Sequence, residues 1–185
     1  MANVLPPFTA ATAHTKVKAA QALWNTRFRP SPSLPPPIAN SRDRDPRRVS
    51  QAYTPMSVWR NRDTFLRGSD QIVAFLTDKW LRERDYRLRK ELFAFQENKI
   101  AVQFWYEFRD ASGQWWRCYG LEDWTFAADG KMEKRFAFSP LIAHREGELM
   151  QGRMMSANDV RIAEDERWFK DGVDVDSVQI GEEHW

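Results

Sequence analysis

The sequence predicts an α+β fold in which helices cover one face of an antiparallel sheet, and three observations carry that prediction. Helix signals come first in the chain and strand signals follow, the order of an α+β domain rather than of alternating βαβ units. Eleven aromatic residues fall between Phe93 and Phe126, and most of them sort onto one side of a folded ribbon. Turn signals at Ala111-Ser112-Gly113 and Asp129-Gly130 divide that stretch into hairpins.

The elements follow in order. Thr9 can cap a helix running to about Asn25, with Val17, Ala20, Leu23 and Trp24 near one face. Asp45-Pro46 places a cap before a proline at the first helical position and opens a short helix to about Tyr53. Met56 to Asn61 reads as a short strand. Gly68-Ser69 starts a third helix with Ile72, Phe75, Leu76 and Trp80 on its buried face. After Asp85 the chain turns to strands, and Lys131 to Arg135 begins the last of them.

The hairpin registers can be argued from the turns. A three-residue loop with Gly113 left-handed sets Phe108 opposite Trp116, Tyr106 opposite Cys118 and Phe104 opposite Gly120. On the other face it sets Glu107 opposite Arg117 and Trp105 opposite Tyr119, pairs that cross-strand neighbours favour. A turn near Glu97-Asn98 sets Phe95 opposite Ile100 and Phe93 opposite Val102. The expected inner face is then Phe93, Phe95, Val102, Phe104, Tyr106, Phe108, Trp116, Trp124 and Phe126, with Glu122 among them.

Composition narrows the function classes. The 185 residues suffice for one domain with a real core, and 28 Lys+Arg against 26 Asp+Glu leave a net charge of only +2. No basic stripe is visible, so a nucleic-acid binder is not expected. One cysteine, Cys118, excludes an intrachain disulfide and fits a reducing compartment; with no membrane span and no secretory signal, the expected location is cytoplasmic. His14, His144 and His184 are far apart, and no metal or other cofactor is expected. Cys118 reads as a small core residue. No phosphate loop, nucleophile elbow or zinc spacing is present.

Two segments break the pattern, 28–44 with five prolines and 136–152 inside the last strand. Removing them joins Thr26-Arg27 to Asp45-Pro46 and Lys134-Arg135 to Arg153-Met154 as continuous elements. They read either as in-frame retained introns or as surface loops, irregular and functionally silent in both cases. The expected organisation is one domain over 1–169 with these insertions, then an acidic tail over 170–185.

With the insertions set aside, a series of segments resembles a known family. Trp24-Asn25-Thr26-Arg27, Ala52-Tyr53-Thr54-Pro55, Ser57-Val58-Trp59-Arg60-Asn61-Arg62 and Phe75-Leu76-Thr77-Asp78-Lys79-Trp80 occur in its order. Asp85-Tyr86-Arg87-Leu88, Arg117-Cys118-Tyr119-Gly120 and Asn158-Asp159-Val160-Arg161-Ile162 continue it. The family is an uncharacterised one in the nuclear transport factor 2-like, SnoaL-like superfamily. The resemblance implies a cone-shaped barrel, a curved antiparallel sheet wrapped around three N-terminal helices, usually dimeric.

The candidate site follows from the inner face. Glu122, on an aromatic wall, is expected to have a raised pKa and to serve as a general acid or base, or else to be a structural carboxylate satisfied by Arg60 or backbone amides. Glu91 falls opposite Phe104 in the expected register and can share the acid–base work, unless a bulge at Lys90-Glu91 turns it outward. Trp59, Phe104, Tyr106, Trp116 and Trp124 supply walls. Of Arg60 and Asn61 only one can face inward. Asn158-Asp159 ends the last strand near the barrel mouth, as a site pair or as a strand-ending turn. The opposite face, with Trp105, Trp115, Tyr119 and Leu121, is apolar enough to read as a homodimer interface. Three functions stand: a cofactor-free acid–base enzyme (isomerase, dehydratase, cyclase or hydrolase) on a small, partly apolar substrate; a non-catalytic dimeric ligand binder; or a protein-interaction module.

Overall fold

The computed structural model describes residues 4–26, 44–62, 64–137 and 158–184, with Ala137, Asn158 and Glu183 described by backbone alone. Most of both proline-rich and strand-interrupting segments, 28–44 and 136–152, therefore lies outside the described residues.

Helix α1 (Ala10–Asn25) starts where Thr9 predicts: the Thr9 hydroxyl accepts the Thr12 N–H and the Thr12 side chain answers the Thr9 N–H. It turns Ala13, Val17, Gln21 and Trp24 inward. Helix α2 (Pro46–Ser50) is capped by Asp45 as expected but is shorter, because strand β1 (Tyr53–Asn61) already begins at Tyr53. A four-residue strand the sequence did not announce, β2 (Thr64–Arg67), pairs back on β1. Gly68 opens α3 (Gly68–Arg82) at φ +79°, where a Cβ would meet the Pro55 carbonyl oxygen at 3.1 Å, so the turn into this helix requires glycine. Strands β3 (Arg84–Gln96), β4 (Lys99–Arg109), β5 (Trp115–Phe126), β6 (Met132–Ala137) and β7 (Asn158–Ile162) complete the sheet.

The strand order is β2-β1-β6-β5-β4-β3, with β7 also on β5. The sheet is mixed rather than wholly antiparallel, because β1 runs parallel to β6, and it is curved but unclosed. β6 pairs with β5 down to Ala137 opposite Glu122, and β7 resumes at Asn158 opposite Tyr119. The two strands are thus collinear pieces lying along one neighbour.

The β4–β5 register is the expected one throughout, from Lys99 opposite Thr125 to Arg109 opposite Trp115. The β3–β4 register is not. Phe95 does face Ile100, but a shift between Leu92 and Ala94 puts Leu92, not Phe93, opposite Val102. Phe93 is consequently turned off the inner wall and 63% exposed, whereas Phe95 keeps its expected register at the end of the strand and is 39% exposed. The same shift puts Lys90, not Glu91, opposite Phe104.

The helices pack on the inner face. Trp24, Trp59, Leu76, Trp80, Leu88 and Trp124 form its centre. The outer face was expected to meet a second copy, and its largest rings are instead covered within the chain. Trp105 and Trp115 are buried beneath the segment from Ala163 to His184. The fully buried Glu107 accepts Arg117 Nε at 2.9 Å and the main-chain N–H groups of Trp168 and Phe169 at 3.0 Å each. Phe169 is completely buried, and Arg117 lies over the Trp168 ring. Among the described residues no helix is long and apolar enough to cross a membrane.

Candidate functional site

Strand alternation on β5 turns Cys118, Gly120, Glu122, Trp124 and Phe126 inward. Glu122 is 2% exposed. The β3–β4 shift brings Lys90 to the same face, and β6 contributes Arg135 from the other side. Lys90 Nζ donates to Glu122 Oε2 at 2.7 Å, and Trp124 Nε1 donates to the same oxygen at 2.7 Å. Arg135 donates through Nη2 to Oε1 at 2.5 Å and through Nε to Oε2 at 3.3 Å. Rings surround both cations. Lys90 Nζ stands 5.1 Å from the Trp124 centroid and 5.5 Å from that of Phe104, and the Arg135 guanidinium 4.7 Å from that of Trp59.

This cluster corrects the expected raised pKa of Glu122. Burial by itself pushes the carboxyl up, but Arg135 and Lys90 together outweigh it and hold Glu122 down at about 2. Lys90 is lowered to about 8, because burial and the repulsion of Arg135 outweigh the attraction of Glu122. One carboxylate thus serves two cations, each only partly compensated, and the cluster carries one surplus positive charge. Burial, reinforced by Asp159, raises the Cys118 thiol, which keeps it an inert core group.

The other sequence-derived candidates separate. Glu91 points away from the interior and pairs with Lys18 at 2.9 Å and Arg89 at 2.8 Å. Asn61 lines the interior, whereas Arg60 donates to the Arg62 carbonyl and stacks over Phe65. Trp59 is wholly buried in the core. The Asn158 side chain lies outside the described residues.

Among the described residues, a small cavity touching Glu122 measures about 20 Å³, and Phe104, Tyr106, Tyr86, Asn61 and Arg135 are among its walls. That space suits an occupant no larger than a water molecule or a small ion. Ligand-sized space lies further out. A cleft of about 610 Å³ opens at the mouth of the sheet, walled by Tyr106, Phe108 and Trp116 and edged by Arg62, Glu83 and Asp159. Tyr106 and Arg62 border both spaces. Trp124, expected in the same pocket, faces a separate 310 Å³ cleft beside α1 with Phe126 and Lys16.

Two carboxylates of the mouth cleft are ion-paired, and a third, Asp110, is instead bonded by the Trp116 indole at 2.8 Å and the Ser112 hydroxyl at 2.6 Å. Glu83, at the C-terminal end of α3, is bonded by Lys79 Nζ at 2.6 Å, and Lys79 also lies 4.7 Å from the Tyr106 ring centroid. Arg62, in the β1–β2 turn at φ 57°, pairs with Asp159 on β7. Burial pushes the Tyr86 and Tyr106 phenols well above their ordinary range, so both stay protonated donors. Sequence reasoning missed Arg62, Lys79 and Glu83 as site residues, and placed Asp159 near the mouth without its partner. The i,i+4 spacing of Lys79 and Glu83 was a readable signal for one pair, but nothing local joins Arg62 to Asp159. Among the described residues no group of three or more His, Cys, Asp or Glu is placed to hold a metal ion.

A family model described as "Protein of unknown function (DUF1348)" matches residues 38–146. Solved structures share the fold. A hypothetical protein with a ketosteroid isomerase-like fold from Catenulispora acidiphila, in complex with trimethylamine, aligns with a TM-score of 0.50 at 9% identity, over 68% of this chain and 85% of that one. An NTF2-like protein of unknown function from an Exiguobacterium species gives 0.45 at 12% identity, over 48% and 77%. A SnoaL-like polyketide cyclase from a Jannaschia species, itself described as putative, gives 0.45 at 19% identity, over 50% and 70%. No curated protein matches the chain.

Proposed function

The chain belongs to the DUF1348 family, which brings an NTF2-like fold but no activity, and on the geometry we propose that it binds a small, partly apolar organic molecule in the cleft at the mouth of the sheet. The observation that supports this reading most is the cleft's size and lining together: about 610 Å³, three aromatic rings, the Arg62–Asp159 pair and the Glu83 carboxylate that Lys79 holds from behind. The rings supply apolar contact, and Arg62–Asp159 and Lys79–Glu83 supply orientation. Glu122 is here a structural ion, the bond that ties β3 and β6 to β5.

A second reading, acid–base turnover without a cofactor, draws on one further observation. Glu83, Asp110 and Asp159 all line the same cleft, so a bound molecule meets carboxylates from three elements. The fold likeness to isomerase-like and cyclase-like proteins agrees with it by analogy only. Self-association through the Trp105 face requires displacing the C-terminal segment, so each cleft is proposed to work within a single chain.

The test is a fragment screen by thermal shift and heteronuclear NMR on the whole chain. Fragments that bind should perturb Trp116 and Tyr106 signals and weaken about tenfold in Trp116→Ala. Binding confined to the Trp124–Phe126 cleft would overturn the assignment. Where a fragment is converted, Glu83→Gln and Asp159→Asn separate the readings: lost conversion with retained binding supports catalysis.

A further inference from the structure

A small cavity lies beside the buried cluster, bordered by its Glu122 and Arg135 but not by Lys90, and it meets the mouth cleft at Arg62 and Tyr106. Lys90, Arg135 and Glu122 expose 2%, 5% and 3% of their side chains, so the surplus charge they carry has almost no water to share it. An uncompensated buried charge costs several kcal/mol. Arg135 Nη1 is buried and has no hydrogen-bond partner. Arg135 borders the cavity of about 20 Å³, and so do Arg62, Lys79, the two phenols of Tyr86 and Tyr106, and the Asn61 amide; the one carboxylate there is Glu122. Nearly every polar wall is a cation or a hydrogen-bond donor.

We propose that this inner cavity is a binding site for a small monovalent anion of halide or formate size. A water molecule would fill the volume but leave the charge unbalanced. A monoanion fills it and neutralises the cluster. The volume excludes sulfate, phosphate and any organic anion with a side chain of its own. Lys90, at about 8, remains largely protonated at neutral pH, so the surplus persists under ordinary conditions. Arg62 lies between the cavity and the mouth cleft, which makes it the natural point of entry.

Sodium bromide is the probe, because it is both a fluorescence quencher and an anomalous scatterer. Bromide replaces gluconate at constant ionic strength on the full chain, and tryptophan emission and the thermal midpoint are followed. The expected result is a saturable quench, since Trp24 lines the cavity, with a parallel rise in midpoint. Formate should raise the midpoint in the same way. In Arg62→Gln the half-saturating concentration should rise at least about fivefold, since one lining charge is lost. In Arg47→Gln, on the exposed side of α2, it should not change. A bromide-soaked crystal should show an anomalous peak against Arg135. Linear quenching with an unchanged midpoint, or the absence of that peak, overturns the proposal and leaves a water in the cavity.

Discussion

Replacing Glu122 by glutamine removes the carboxylate that two buried cations share. Holding its carboxyl at about 2 instead of the ordinary 4.5 corresponds to ~3 kcal/mol in favour of the ionised form. Removing one member of a buried pair generally costs about 3–5 kcal/mol, and here two cations lose their partner at once. Glu122→Gln should therefore destabilise by about 3–5 kcal/mol, a fall of roughly 6–20 °C in thermal midpoint for a chain of this length. Lys90→Met makes the opposite change. It removes the surplus charge, leaves the Arg135–Glu122 pair at 2.5 Å intact and fills the same space with an apolar chain. Its expected effect is within about 1 kcal/mol of the parent, in either direction. Urea unfolding followed by circular dichroism measures both, with the slope checked for constancy. If Glu122→Gln costs less than about 1 kcal/mol, or Lys90→Met costs as much as Glu122→Gln, the shared-carboxylate account of the interior is wrong.

The other predictions concern pH and chain connectivity. Glu122 has a depressed folded-state pKa, so its contribution is complete above pH 4.5 and drains away as pH falls toward 2; Glu122→Gln should flatten that acid limb in urea midpoints measured against pH. Lys90 is also depressed, but it is a base: between about 8 and 10.5 the unfolded chain holds a proton that the folded chain has released, so stability rises with pH there. That rise should be missing in Lys90→Met, and taking the difference between the two proteins removes the opposing effect of the buried tyrosines near pH 10. Deleting residues 138–155 leaves two residues between Ala137 and Asn158, the number that unbroken pairing opposite Gly120 and Leu121 needs. The shortened chain should fold with an unchanged far-ultraviolet spectrum and a midpoint no lower than the parent's, and failure to fold would show that the excised stretch is structural.

Local signals made much of this architecture legible. The Thr9 cap, the Asp45-Pro46 start and the Gly68 start were each read where they occur, because capping and left-handed backbone are decided by one or two residues. The β4–β5 register was read correctly from a three-residue turn, and with it the inward position of Glu122 and the Glu107–Arg117 pair. What failed was non-local. One irregular residue near Phe93 turned that phenylalanine to the surface and exchanged Glu91 for Lys90 on the inner face, and periodicity alone does not announce such an irregularity. That exchange reversed the expected titration of Glu122, whose partners come from strands 32 and 13 residues away. The place of the cleft was hidden for the same reason: Arg62 meets Asp159 across 97 residues of chain. Even the apolar outer face was read correctly as too greasy for water, and its cover came from the chain's own end.

Glu107 grips the end of the chain by its main-chain hydrogens rather than by its side chains. An anchor of that kind tolerates rewriting of what it holds. Those two donors survive any substitution at Trp168 or Phe169 except proline, whereas the neighbouring side chains, Arg167 over the Trp115 ring and Asp176 beside Lys18 and Gln21, fasten the segment by contacts of their own.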